Sequence, residues 1–103
     1  MDPHDNLVPR LGILGVDLDQ RIAEQLSVSR VRFGVVVVAT VPGAIDTRDG
    51  GLDVGDIISQ INGTPVRGLA DVRSTLDGLK TGDPVVLQLE RRGELTYLAF
   101  TIG

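Results

Sequence analysis

The sequence predicts an α+β domain built on a small, mostly antiparallel, partly closed sheet, and three observations carry that prediction. Gly34 to Val41 is so dense in β-branched residues, without polar alternation, that it describes a strand buried on both faces or near the centre of a sheet. Leu69, Val72, Leu76 and Leu79 recur at spacings of three and four, the signature of one apolar helix face from about Leu69 to Leu79. Asn62-Gly63 lies between two apolar runs as a tight turn, and Arg92-Gly93 divides two more that read as an antiparallel hairpin.

Composition bounds the function. A chain of 103 residues, 42% apolar and 23% charged, is one ordinary globular domain with enough apolar residues for a core. Phe33, Tyr97 and Phe100 are its only aromatic residues, so the core must rest on Val, Leu and Ile. The absence of cysteine removes disulfides, thiolate metal sites and thiol nucleophiles. A formal charge of -4 argues against a general nucleic-acid binder, which needs clustered Lys and Arg. The longest apolar run, Val35 to Ala39, falls far short of the ~20 residues of a membrane span. Met1 to Pro9 is polar and lacks the apolar core of a signal peptide.

Taken in order, residues 1–9 read as a flexible leader that orders only near its end, and residues 10–103 as the domain. His4, the single histidine, falls in this leader and reads as a solvated residue; alone it makes neither a metal site nor a triad. Ile13 to Leu18 is a first strand. Asp19 to Leu26 has helix chemistry, with Asp19 as N-cap and Ile22, Ala23 and Leu26 on one face. Ser27 to Phe33 is a connection, and Pro42-Gly43 stops the strand that begins at Gly34. Gly50-Gly51 limits any helix in the polar segment Ala44 to Gly51 to about one turn. Ile57 to Ile61 is a strand, and Thr64-Pro65-Val66 a short return strand at an edge, because Pro65 offers no ladder donor. Asp71 and Lys80 suit the two ends of the helix dipole. Val85 to Arg91 and Leu95 to Ile102 close the chain as a hairpin.

The stretch with the most chemistry is Arg10-Leu11-Gly12-Ile13-Leu14-Gly15-Val16. A loop through Leu11 and Gly12 can point successive N–H groups into one concavity that suits a carboxylate, and the strand beyond can offer its edge to an extended peptide. Asp53 and Asp56 flank a glycine in a turn; a solvated turn or a local cap fits them better than calcium ligation, since the EF-hand pattern is missing. No cofactor or metal site is predicted. Ser27, Ser29, Ser59 and Ser74 have no histidine partner and no nucleophile-elbow pattern, so the chain itself is not read as an enzyme.

In combination, Arg10 to Gly15, the helix around Ile22 to Leu26, Gly34-Val35-Val36-Val37, Pro42-Gly43-Ala44, Gly51 to Ile58, Ile61 to Val66 and the leucine-spaced helix resemble a PDZ domain. They resemble most the circularly permuted PDZ domains of bacterial HtrA/Deg-type serine proteases, which implies two helices and a sheet that begins with the carboxylate loop. The resemblance spans Arg10 to Ile102. It departs from many members at Arg10, where no aromatic residue stands beside the loop, and between Pro42 and Leu52, a stretch one residue longer than the usual run.

The resemblance implies a peptide-binding module, with the carboxylate signature on Leu11-Gly12-Ile13, the ligand beside Ile13 to Val16, and Ile13, Val72 and Leu76 around its last side chain. Arg73 is a rim position, and Arg10 either meets the carboxylate or is solvated. The implied partners are peptide or protein C termini and misfolded or extended segments, with a linked serine protease domain outside this sequence, in the bacterial cell envelope or periplasm. Neither nucleic acid nor membrane insertion is expected. Two rival readings keep the fold: an autoinhibitory or assembly domain whose groove is filled within its own protein, where the leader and the strand edge engage in cis, or the PDZ domain of a membrane protease or secretion component.

Overall fold

The computed structural model describes residues 6–19, 21, 24, 33–40 and 51–102. Among these residues seven strands form one antiparallel sheet: β1 (Leu7–Val8), β2 (Ile13–Asp17), β3 (Val35–Thr40), β4 (Ile57–Ile61), β5 (Thr64–Pro65), β6 (Pro84–Arg91) and β7 (Glu94–Thr101). A helix, α1 (Leu69–Asp77), enters between β5 and β6. The strand order is β1-β2-β3-β4-β6-β7, with β5 paired to β4. The ladder is open, with β1 and β7 at its ends, where the sequence had suggested partial closure. Of the helix expected from Asp19 to Leu26, Arg21 and Glu24 are described and both are helical. The segment 44–50 and His4 lie outside the described residues.

Sequence chemistry accounts for the remaining elements. Val35 and Val37 are fully buried in the main core, while Val36 packs on the opposite sheet face with Leu18 and Ile57, so the β-branched run is buried from both sides. Each such side chain stabilises the fold by about 1.5–3 kcal/mol through apolar burial. Positive φ at Asn62 (50°) and Gly63 (80°), and at Arg92 (54°) and Gly93 (82°), closes the two tight turns as a two-residue hairpin requires. Asn62 also pins its turn with its side chain, accepting from the Val86 N–H at 2.7 Å and donating to the Pro84 carbonyl at 3.2 Å.

Helix α1 lays Leu69, Val72 and Leu76 on the core, as the spacing predicts. Its N-cap position is Gly68, which has no side chain to offer, and Asp17 at the end of β2 takes over: its Oδ1 accepts the Leu69 N–H at 2.7 Å. A carboxylate there also suits the positive end of the helix dipole. This bond fixes the start of the helix beside the end of β2.

Asp56 shows how the turn before β4 is held. It is 1% exposed; its Oδ2 accepts the Asp53 N–H at 2.8 Å and Arg91 Nη2 at 2.7 Å, and its Oδ1 accepts Arg91 Nε at 2.9 Å. Asp56 is thus a local cap, and its ion pair with Arg91 across 35 residues of chain is invisible to local sequence reading. The bidentate hydrogen bond to Asp56 holds the Arg91 guanidinium above its ordinary pKa; partial burial opposes this, and the charges of Asp56 and Asp53 reinforce it.

Candidate peptide groove

The residues singled out in sequence meet along β2 and α1. Pro9 to Gly12 form a four-residue loop between β1 and β2, and Gly12 takes φ 66°, the left-handed conformation that glycine adopts without a Cβ penalty. In the same loop two consecutive N–H groups point at one oxygen: Leu11 N at 3.1 Å and Gly12 N at 2.9 Å both donate to the Val8 carbonyl. Gly12 N also lies 3.1 Å from the Pro9 carbonyl. The oxygen that these two amides hold belongs to the chain itself.

Beyond the loop, Leu7 pairs with Leu14 and Val8 with Ile13, in antiparallel register, on the edge of β2 opposite β3. The extended segment thus occupies the strand edge that the sequence assigns to a peptide. Val8 is 2% exposed and belongs to the same buried cluster as Leu11, Ile13, Val72 and Leu76. Ile13, Val72 and Leu76 share that one buried cluster, which also contains Val8. Leu14 and Val16 are half-buried, and Val16 packs on the other sheet face against the cluster of Leu18, Val36 and Ile57. Their part in a groove is backbone pairing.

Gly15 serves close approach. A Cβ there would stand 2.5 Å from Val35 Cγ1 and 3.4 Å from Leu69 Cδ2. Glycine lets β2 sit tight between β3 and α1 at the point where the β2–β3 register shifts, between Leu14 and Gly15. Its carbonyl accepts Asn6 Nδ2 at 2.7 Å, so it faces the same side as β1.

Two arginines border the groove. Arg73, on α1, donates from Nη2 to the Leu7 carbonyl at 3.2 Å. Arg10 is exposed, and its Nη1 donates to the carbonyls of Leu76 at 2.6 Å and Leu79 at 2.8 Å. It satisfies acceptors at the C-terminal end of α1, where a cation is favoured and the last turn of the helix has no basic residue of its own. Arg10 thereby ties the loop to the helix.

Sequence reasoning missed Asn6, Val8 and Asp17. The apolar pair Leu7-Val8 just before Pro9 was the available signal for the first two; Asp17 carried none, because its partner lies 52 residues on. Among the described residues, no group of three His, Cys, Asp or Glu stands together as metal ligands, and no helix is long and apolar enough to cross a membrane.

Comparison with known proteins agrees with this geometry. The family described as PDZ domain matches residues 9–102. A probable periplasmic serine endoprotease, DegP-like, from Ectopseudomonas mendocina (strain ymp) is 32% identical over 93 residues, covering 90% of this chain and 19% of the relative. The periplasmic pH-dependent serine endoprotease DegQ of Escherichia coli (strain K12) is 33% identical over 92 residues, covering 89% and 20%. The chain thus spans about a fifth of the length of these relatives. In fold it is similar to the crystal structure of the HtrA3 PDZ domain bound to a phage-derived ligand (FGRWV), with a TM-score of 0.68, 23% identity, and coverage of 89% of this chain and 80% of that one. The chain belongs to the PDZ domain family, and the relatives it resembles are serine proteases of the HtrA/Deg type.

Proposed function

We propose that this domain binds hydrophobic C termini or exposed extended segments by strand addition to β2, as the substrate-recognition or regulatory module of an HtrA-like serine protease of the bacterial cell envelope. One observation carries the reading: an extended segment pairs antiparallel along β2, beside α1, and ends on an oxygen that two loop amides share. Strand addition with an anion-suited loop at its end needs those same parts. Main-chain pairing supplies affinity without reading sequence, and the buried surface of Ile13, Val72 and Leu76 selects an aliphatic last side chain. The relatives named as periplasmic serine endoproteases support the context, and the ligand named for the HtrA3 domain, FGRWV, ends in valine and provides a probe.

The test is a titration of the labelled domain with that pentapeptide, read by backbone amide shifts. Changes concentrated on residues 11–16 and on the α1 face at Val72 and Leu76 support the site; changes confined to β6 and β7 refute it. The same observation favours a second reading, in which the groove engages only segments of its own protein and serves assembly or inhibition. Under that reading peptides of any sequence fail to bind, while the groove of the full-length protein stays protected from amide exchange.

A further inference from the structure

We propose that Asn6-Leu7-Val8 is a built-in ligand mimic that closes the groove, and that an external C terminus binds by displacing it. This rests on the peptide-binding reading above and names its regulation. The segment runs antiparallel to β2 with its last residue at the loop, the polarity that a C-terminal peptide needs if its carboxylate is to reach the Leu11 and Gly12 amides. Val8 stands where the last residue of a ligand would stand. Its carbonyl takes both amide N–H groups, and its side chain is buried with Ile13, Val72 and Leu76. Leu7 occupies the next position, its carbonyl held by Arg73, and Asn6 the one after, its side-chain amide donating to Gly15.

Among the described residues, the β2 edge, the loop amides and Arg73 are therefore all engaged in cis by Asn6 to Val8. Two ladder pairs and a side-chain hydrogen bond make a weak competitor in themselves, strengthened because it is tethered next to its site. A mobile ligand with a full carboxylate and a longer strand can replace it, at an apparent affinity reduced by the fraction of molecules in which the segment is docked. Arg10 sharpens the device. By gripping the Leu76 and Leu79 carbonyls it anchors the loop from which the segment is hinged, so that release of Asn6 to Val8 leaves the amide cradle in place for the incoming chain end.

The experiment uses the full 103-residue chain and the pentapeptide Phe-Gly-Arg-Trp-Val with a free carboxylate. Asn6→Ala removes one hydrogen bond of the docked segment and touches none of the groove-lining side chains. It is expected to tighten peptide binding by about two- to tenfold, the effect of one neutral hydrogen bond on the docking equilibrium. At saturation, the Cα chemical shifts of Leu7 and Val8 in the wild-type chain are expected to move from strand to coil values. Unchanged or weaker binding by Asn6→Ala, or strand values that persist at saturation, overturns the mimic while leaving peptide binding intact. Failure of both chains to bind the peptide overturns the binding reading and the mimic together.

Discussion

Breaking the Asp56–Arg91 pair from its two sides should give unequal losses, because its two partners are unequally buried. The Asp56 side chain is 2% exposed and Arg91 30%. Arg91→Met strands a buried carboxylate with the Asp53 N–H as the one remaining donor of its three hydrogen bonds. Removing one partner of a buried pair costs about 3–5 kcal/mol. Asp56→Asn keeps the shape and leaves the arginine free to turn to solvent. Its oxygen, placed at the Oδ2 position, retains two of the three donors and loses Arg91 Nε, with a cost of about 2–3 kcal/mol from one lost and two weakened charge-assisted bonds. The assay is thermal unfolding of wild type, both single variants and the double variant. Arg91→Met should be the worst of the four, with a melting temperature lowered by about 12–20 °C at roughly 4 °C per kcal/mol. The double variant should cost less than the sum of the singles. Because the folded pKa of Arg91 is raised, its contribution is complete below the unfolded value and is lost only as pH climbs through the folded one, beyond the neutral range; the wild-type stabilisation from this group should not vary there. Equal losses in the two singles, or strict additivity, would refute the reasoning.

Two substitutions in the loop and strand separate anion holding from packing. Gly12→Val places a β-branched residue at φ 66°, so denaturation should show a loss of about 1–2 kcal/mol together with weaker peptide binding; unfolding of the whole domain would make Gly12 chiefly structural. Gly15→Ala drives a methyl to 2.5 Å from Val35 Cγ1 and should cost about 1–3 kcal/mol by overpacking, and a neutral melting curve would mean that β2 and β3 have slack between them.

Most of the fold was legible because its signals are local. The β-branched run, the leucine spacing of α1 and the Asn62-Gly63 turn each specify their element within a few residues, and each is found where expected. The closeness at Gly15 was foreseeable too, since a glycine inside an alternating strand points to a near neighbour. What escaped reading depends on pairs far apart in the chain. Asp17 caps a helix that starts 52 residues later, and Arg10 reaches carbonyls 66 and 69 residues away. Neither side chain has a local pattern that announces its partner. The pairing of Leu7-Val8 with β2 escaped reading for a different reason. Two apolar residues before a proline carry too little periodicity to be read as a strand, and only a free edge on β2 makes them one.

The central claim is that the Leu11-Gly12 amides hold the end of a chain. Isothermal titration of the domain with Phe-Gly-Arg-Trp-Val bearing a free carboxylate, and then with the same peptide amidated, tests it most directly. Charge-assisted hydrogen bonds to a carboxylate are worth about 1.5–3 kcal/mol each, so the account predicts that amidation weakens binding by about tenfold or more. Equal affinities for the two peptides would contradict it.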